Sequence, residues 1–409
     1  MAPGIVHELG EARRVHEERR QRSPLKRSIG RTRRRISSPE ILRFQSGHRI
    51  QLFSRGRVAF EAMLEAIDGA TKFIHLETYI LRTDATGRRI LSHLTAQAEQ
   101  GVSVRLIFDA LGSRGLDRAA LRSLEMAGAR IAEFNPPAQW LWRFRPRQRD
   151  HRKILLVDGK IGFLGGLNIA DEYVAEDSEG PTWRDAHLRI EGPALTELAA
   201  LFIENWFRSG GESFEWRSLV DHERDADGDR SVAILADGPS YRRRRLQSFF
   251  LDELCRAKSH VLLVSPYFAP GPKVLDALSA ASERGVRVEL LLAGHTDHPL
   301  LRRAVREIVP KLLSRGVRVF EDRRRMMHAK LAVFDDALAV VGTSNLDRQS
   351  LHHSCEVNAV IDGPSEAKWI LEHFGTDILD VCPIDCAVLA KRSLVTRWID
   401  KIAAIWARV

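Results

Sequence analysis

The chain has 409 residues, 44% hydrophobic and 29% charged, enough for two or three domain-sized cores and ordinary for a globular protein. No apolar run reaches the roughly 18–20 residues that cross a bilayer, and the charged N-terminus lacks the apolar stretch of a secretory signal, so an intracellular protein is expected. Four cysteines, Cys255, Cys355, Cys382 and Cys386, are too few for a disulfide framework and lack the paired spacing of a zinc site; they read as reduced thiols.

The net charge of +9 is unevenly placed. Residues 1–35 carry eleven Arg or Lys against four Glu, a net of +7, which leaves +2 for the remaining 374 residues. Residues 1–40 therefore read as a basic arm, either simply solvated or drawn to an anionic membrane or nucleic acid. The nearly neutral body argues against a long groove that tracks nucleic-acid phosphates.

After the arm, Phe73–Tyr79 reads as a short apolar strand, Gly87–Glu99 as an amphipathic helix, and Val102–Phe108 and Arg130–Phe134 as further strands. An insertion follows, with Trp140, Leu141, Trp142 and Phe144 interleaved with Arg143, Arg145 and Arg147. It reads either as a packed crossover loop or as a lipid-headgroup contact leading substrate inward. Ile154–Val157 and Ile161–Leu164 form a buried hairpin. Residues 218–231, rich in Asp and almost without apolar side chains, mark an acidic linker.

The same order then returns: strand Val261–Tyr267, helix Lys273–Arg284, strands Val286–Leu292 and Arg318–Glu321, and the hairpin Leu331–Phe334 with Leu338–Val341. AEQGVSVRLI at 98–107 matches SERGVRVELL at 282–291, and Tyr79 matches Tyr267 at an offset of 188. Residues 393–409 space Leu394, Trp398, Ile402 and Ile405 with helical period. That terminal amphipathic helix reads first as packed on the body, with interfacial membrane binding as the alternative. Strands alternating with helices in a duplicated unit predict an α/β fold. Its two similar halves, residues 41–217 and 232–392, are expected to pack about a pseudo-two-fold axis with one shared active site.

The chemistry lies in a motif written twice. His151 and Lys153, then Asp158, then Asn168 recur as His328, Lys330, Asp335 and Asn345 at identical spacing, 177 residues on. A lone His-x-Lys means little; two matched copies in a duplicated fold leave little to chance. In extended chain, residues i and i+2 face the same way, so each His and Lys project together. If the halves meet about an axis, two imidazoles, two ammonium groups and two amides converge on one phosphodiester. One imidazole can attack phosphorus while the other protonates the leaving oxygen. The lysines supply the charge stabilisation, so no metal or other cofactor is expected. Asp158 and Asp335 belong to the motif and count among the catalytic candidates, although their place behind the His-Lys pair suits support better than contact with phosphorus.

Over about residues 45–390 the chain resembles the phospholipase D superfamily with both its His-Lys-Asp motifs, and within it the bacterial cardiolipin synthases, especially a short form without N-terminal membrane helices. FIHLETYI (73–80), RDHRKILLVDGKIGFLGGLNIADEY (149–173), WRDAHLRIEGPAL (183–195), MHAKLAVFD (327–335) and GTSNLDRQSL (342–351) carry the resemblance. One departure is Ser354-Cys355, where that family usually has Asn-Phe before the position of Glu356. The resemblance implies that Asp185 and Glu356 orient the imidazoles, without saying which acid serves which. It also implies His151 as nucleophile and His328 as general acid, then base. The expected reaction joins two phosphatidylglycerols into cardiolipin, on an anionic membrane surface and peripherally at its cytoplasmic face. Phospholipase D hydrolysis to phosphatidic acid is the alternative. A nuclease or a non-catalytic lipid-binding protein is the further rival, nucleic acid being the less expected partner. Nothing in the sequence sets an oligomeric state.

Overall fold

The computed structural model describes residues 42–137, 148–175, 183–214, 228–238, 244–376, 381–384 and 392–406. The basic arm, the insertion residues Trp140, Trp142, Arg143, Phe144 and Arg145, and most of the acidic linker lie outside the described residues.

The first half contributes strands β1 (Gln45–Phe53), β2 (Phe73–Thr78), β3 (Ser103–Asp109), β4 (Arg130–Phe134), β5 (Ile154–Val157), β6 (Ile161–Gly165) and β7 (His187–Glu191). The second contributes β8 (Arg230–Asp237), β9 (His260–Ser265), β10 (Arg287–Ala293), β11 (Arg318–Asp322), β12 (Leu331–Phe334), β13 (Leu338–Gly342), β14 (Glu356–Asp362) and β15 (Val381–Pro383). All fifteen join one sheet, in the order β15-β11-β10-β9-β12-β13-β14-β8-β1-β7-β6-β5-β2-β3-β4. From the central β8–β1 pair outward, the two halves repeat the same strand order. β1 and β8 run antiparallel, Gln45 opposite Val232 and Ser46 opposite Ser231, as a two-fold relation between halves requires. The expected α/β duplication is therefore present, built as a single continuous sheet.

β2, β3 and β4 are mutually parallel, as are β9, β10 and β11. The linking helices α1 (Gly56–Asp68), α2 (Ala85–Glu99) and α3 (Arg118–Met126) cover one face of the first half. In the second half α5 (Arg245–Arg256), α6 (Pro272–Glu283) and α7 (Pro299–Leu313) cover the matching face. The opposite face is shared. There α4 (Leu195–Arg208) and α9 (Pro364–Phe374) bury Phe202, Trp206, Ile370 and Phe374 in one core that draws strands from both halves. Strands covered on both sides become continuous apolar runs, as in HVLLVS of β9, buried throughout. Asp84 and Asp117 cap α2 and α3 through Gly87 and Ala119 amides. A short helix, α8 (Arg348–His352), precedes β14, and α10 (Leu394–Trp406) lies along α7. No helix among the described residues is long and apolar enough to cross a membrane.

The sequence pattern located the repeated strands to within a residue or two, but not β1, β7, β8 and β14 at the centre. Arg230 and Ser231, within the stretch read as linker, open β8, because Ser231 pairs with Ser46 on one side and Asp362 on the other.

Candidate active site

Strand β5 runs antiparallel to β2, with Ile154 opposite Glu77. The residues just before β5 therefore lie beyond the carboxyl end of β2, the usual place for a site in a sheet of this kind. β12 repeats this against β9, with Leu331 opposite Val264. The His-x-Lys segments lie on extended chain just ahead of these strands. The reason is that their backbone bonds with the other half. His151 N–H donates to the Cys355 carbonyl at 3.0 Å, and Cys355 N–H donates to Arg149 at 2.8 Å. In the mirror arrangement, Met326–Met327 pairs in parallel with Trp183–Arg184, and His328 N–H donates to the Arg184 carbonyl at 2.8 Å.

This exchange brings each imidazole to an acid of the opposite half. His151 Nδ1 lies 3.0 Å from Glu356 Oε1 and 3.1 Å from Oε2. His328 Nδ1 lies 2.6 Å from Asp185 Oδ2. Each carboxylate accepts the Nδ1 hydrogen, which leaves the Nε2 lone pair for chemistry. Lys153 Nζ donates to the His151 carbonyl at 2.9 Å; Lys330 Nζ stands 3.0 Å from His328 Nε2. Lys330 also comes within 2.8 Å of His328 Nδ1, but that nitrogen's hydrogen points to the closer Asp185. The two lysines act on each other's surroundings: Lys153 feels Asp185, and Lys330 feels Glu356. The two His-Lys pairs, 177 positions apart, thus form one cluster.

The glycine steps before each asparagine explain the close approach. A Cβ on Gly166 would sit 1.9 Å from Asp185 Oδ1, so only glycine admits that carboxylate. The second half has Thr343 at the matching place, and its hydroxyl donates to Glu356 Oε2. Asn168 Nδ2 donates to the Tyr173 hydroxyl at 2.6 Å, and its Oδ1 accepts from Ile80 N–H at 3.2 Å. Asn345 is buried, and among the described residues its Oδ1 has no hydrogen-bond partner. Aromatic rings wall the cluster: Tyr79 is 5.0 Å from His151, while Trp183 and Tyr173 are 4.9 and 5.3 Å from His328.

Burial dominates the titration of these groups. It depresses His328 to about 3 and, with help from Lys153, holds His151 well below the ordinary imidazole value. Both rings are neutral near pH 7. Burial also lowers Lys330 to about 7 and Lys153 to about 8. The acids diverge. Burial pushes Glu356 up to about 8 against the pull of Lys153. It pushes Asp185 up as well, but Lys330 and His328 outweigh it and hold Asp185 below the usual carboxylate value.

Asp158 and Asp335 correct the catalytic assignment, because neither reaches the cluster. Asp158 sits at the far end of β5 with φ of 51° and accepts from Thr71 N–H and Oγ1–H and from the Lys72 and Phe73 amides, at 2.7–2.9 Å. Asp335 does the same for Lys258, Ser259 and His260, with φ of 49°. Five residues of extended chain from the lysine span roughly 16 Å. These carboxylates pin the start of β2 and of β9; they do not touch the reacting atoms.

Sequence reasoning missed a buried polar group behind His151. Arg152, 1% exposed, donates to carbonyls of Leu201, Asp237 and Glu356 at 3.1–3.4 Å and so ties both halves together. Asn205 Nδ2 bridges Glu77 Oε1 at 2.7 Å and Asp150 Oδ1 at 3.1 Å. The second-half counterparts are Ser265, Met327 and Ala329, so a search for repeated residues passes over them. His75 is structural, stacked on Phe202 at 4.5 Å.

The duplicated sheet with a crossed His–acid pair from each half defines the class: a phospholipase D-like fold with two motif copies in one chain. A family model described as "Cardiolipin synthase, PLD-like domain" matches residues 63–200 and 250–378. The chain belongs to this phospholipase D-like cardiolipin synthase family. It is 32% identical over 356 residues to a cardiolipin synthase of Geobacillus sp. (strain WCH70), covering 87% of this chain and 71% of that one. It is 34% identical over 359 residues to a cardiolipin synthase of Staphylococcus aureus (strain Mu50 / ATCC 700699), covering 87% and 72%. The solved phosphatidylserine synthase of Haemophilus influenzae Rd KW20 shares the fold, with a TM-score of 0.65 at 14% identity over 88% of this chain and 93% of that one.

Three outcomes are expected. Gly166→Ala displaces Asp185 and lowers kcat by about a hundred-fold or more, with stability measured alongside by urea unfolding. Asp158→Ala instead costs about 2–3 kcal/mol of stability, seen as a lower urea midpoint, while molecules that remain folded keep their turnover. The free-enzyme kcat/KM falls as pH rises through about 7 to 8, because Lys330 and then Lys153 lose their charge. A profile level to well above that range removes the lysines from charge stabilisation.

Proposed function

We propose that the chain makes cardiolipin by moving a phosphatidyl group from one phosphatidylglycerol to another through a phosphohistidine on His151. One observation carries this reading: two neutral imidazoles, each oriented by a carboxylate from the opposite half, share one buried cluster with two lysines. His151 Nε2 attacks phosphorus, and the bond to the departing glycerol oxygen breaks. His328 gives its Nε2 proton to that oxygen. The ionised Asp185 beside it stabilises the imidazolium, which favours His328 over His151 as the acid. An anionic phosphodiester held by Lys153 and Lys330 raises the pKa of His328 and charges it for this step. In the second half-reaction His328 takes the proton of a phosphatidylglycerol hydroxyl. That oxygen displaces His151 from phosphorus. The two halves, residues 41–217 and 232–392, act as one catalytic unit in this reading.

The lipid class is supported by the relatives, which carry the name cardiolipin synthase. We place the enzyme peripherally, at the cytoplasmic face of an anionic membrane. The test is incubation with labelled phosphatidylglycerol vesicles in a metal chelator, followed by lipid separation. Cardiolipin is expected, with at least about a thousand-fold loss in His151→Ala. Phosphatidic acid as sole product makes it a hydrolase with water as acceptor. Fragmentation of single-stranded DNA, without lipid turnover, assigns it to nucleic acid, and no product at all leaves lipid binding. A phosphohistidine trapped and mapped to His328 reverses the assignment of nucleophile and acid.

A further inference from the structure

Helix α10 presents two different faces. At about 100° per residue, Asp400, Ala403 and Ala404 point inward and are buried. The Asp400 carboxylate, the helix's sole acid, binds Arg303 of α7 at 3.3 Å and Arg392 before the helix. On the opposite side Val395, Trp398, Ile399 and Ile402 follow the spacing i, i+3, i+4, i+7 and are 69%, 66%, 38% and 45% exposed. Of eight large apolar side chains exposed among the described residues, these are four, and Leu300 in the first turn of α7 is a fifth. Arg397 and Lys401, both exposed, lie together beyond the Trp398 edge of the stripe.

The helix is also aimed. Arg303 meets Asp400, while the Arg306 carbonyl accepts from Arg392 at 3.1 Å, so α10 runs antiparallel to α7 toward its first turn. That turn begins at the site. His298 packs on Tyr267 at 4.9 Å, the Tyr267 hydroxyl donates to Asp297 at 2.5 Å, and the Tyr267 ring is 6.3 Å from His328. The apolar stripe thus leads to the rim of the catalytic cluster.

We propose that the outward face of α10, continued by Leu300, docks on an anionic phospholipid bilayer and sets the mouth of the site against the lipid headgroups. Charge chooses this occupant. With Asp400 neutralised beneath the helix, its exposed charges are Arg397 and Lys401, both positive, beside an apolar stripe that carries a tryptophan. Cations along one edge of an apolar stripe with an exposed indole suit the interface of an anionic bilayer. A second copy of the chain on the same face fits less well, because a two-fold contact sets those cations against their own counterparts. The inference rests on the lipid reading of the site for its purpose, but docking is measured without turnover.

The experiment compares the full chain with a Val395→Ser, Trp398→Ser, Ile402→Ser triple variant, whose substituted side chains are exposed. Sedimentation uses vesicles of phosphatidylglycerol mixed with phosphatidylcholine. Turnover of a water-soluble short-chain phosphatidylglycerol is followed in parallel. The triple variant is expected to bind vesicles about ten-fold more weakly or worse, with unchanged circular dichroism and soluble-substrate turnover. Arg397→Gln with Lys401→Gln is expected to weaken binding and flatten its salt dependence. In the wild type, brominated phosphatidylglycerol quenches fluorescence that Trp398→Phe removes, a readout independent of how the triple variant folds. Unchanged vesicle binding, or a wild-type dimer that the triple variant dissolves while vesicle binding persists, overturns the proposal. Vesicle binding without turnover of either lipid keeps the docking face and defeats the catalytic reading instead.

Discussion

The backbone exchange between the halves governs the rest of the structure. The segment ahead of β5 bonds with the segment ahead of β14, and the segment ahead of β12 bonds with the one ahead of β7. Through these two contacts each imidazole meets a carboxylate that its own half does not own. A separated half would hold a histidine without its orienting acid and an acid without its histidine. The shared core under α4 and α9 and the buried Arg152, bonded to carbonyls of both halves, make that separation costly. Folding and assembly of the site are therefore the same event.

Within this near symmetry the two sides differ around the cluster. Gly166 makes room for Asp185, whereas Thr343 spends a hydroxyl on Glu356. Asp185 remains ionised under the influence of Lys330 and His328, while burial drives Glu356 toward its neutral form. Behind His151 lies the Glu77–Asn205–Asp150 arrangement; behind His328 the equivalent positions are Ser265 and Met327. In the proposed transfer one imidazole carries phosphorus and the other a proton, and these inequalities give the pair different surroundings.

Much of the α/β duplication was legible because local signals wrote it. Apolar runs of strand length, glycine turns and the matched segments at 98–107 and 282–291 placed the outer strands of each half with little error. The central strands β1 and β8 were not visible. The residues of β1 are polar enough to pass for loop, and the apolar run Val232–Ala236 of β8 was passed over beside the linker; each strand pairs with its own half as well as with the other. Of the six residues singled out by spacing, His151, Lys153, His328 and Lys330 lie in one cluster, while Asn168 bonds Tyr173 and Ile80 and the Asn345 backbone N–H bonds Ser350. Asp158 and Asp335 share the same spacing signal but serve the strand starts, since a conserved distance along a chain does not say which end of a strand faces the chemistry.

The sequence by itself determined that there are two copies of one chemical pattern, their spacing, and the kinds of group they bring. Repetition and side-chain type are properties of the linear chain. Only the tertiary structure decided that Glu356 serves His151 and Asp185 serves His328, that Arg152 binds the halves, and that one face of α10 remains outward. These depend on contacts between residues far apart in the chain, 205 and 143 positions for the two His–acid pairs. Nothing in the local alternation of the chain encodes such contacts, and they are chosen by which surfaces can be buried together.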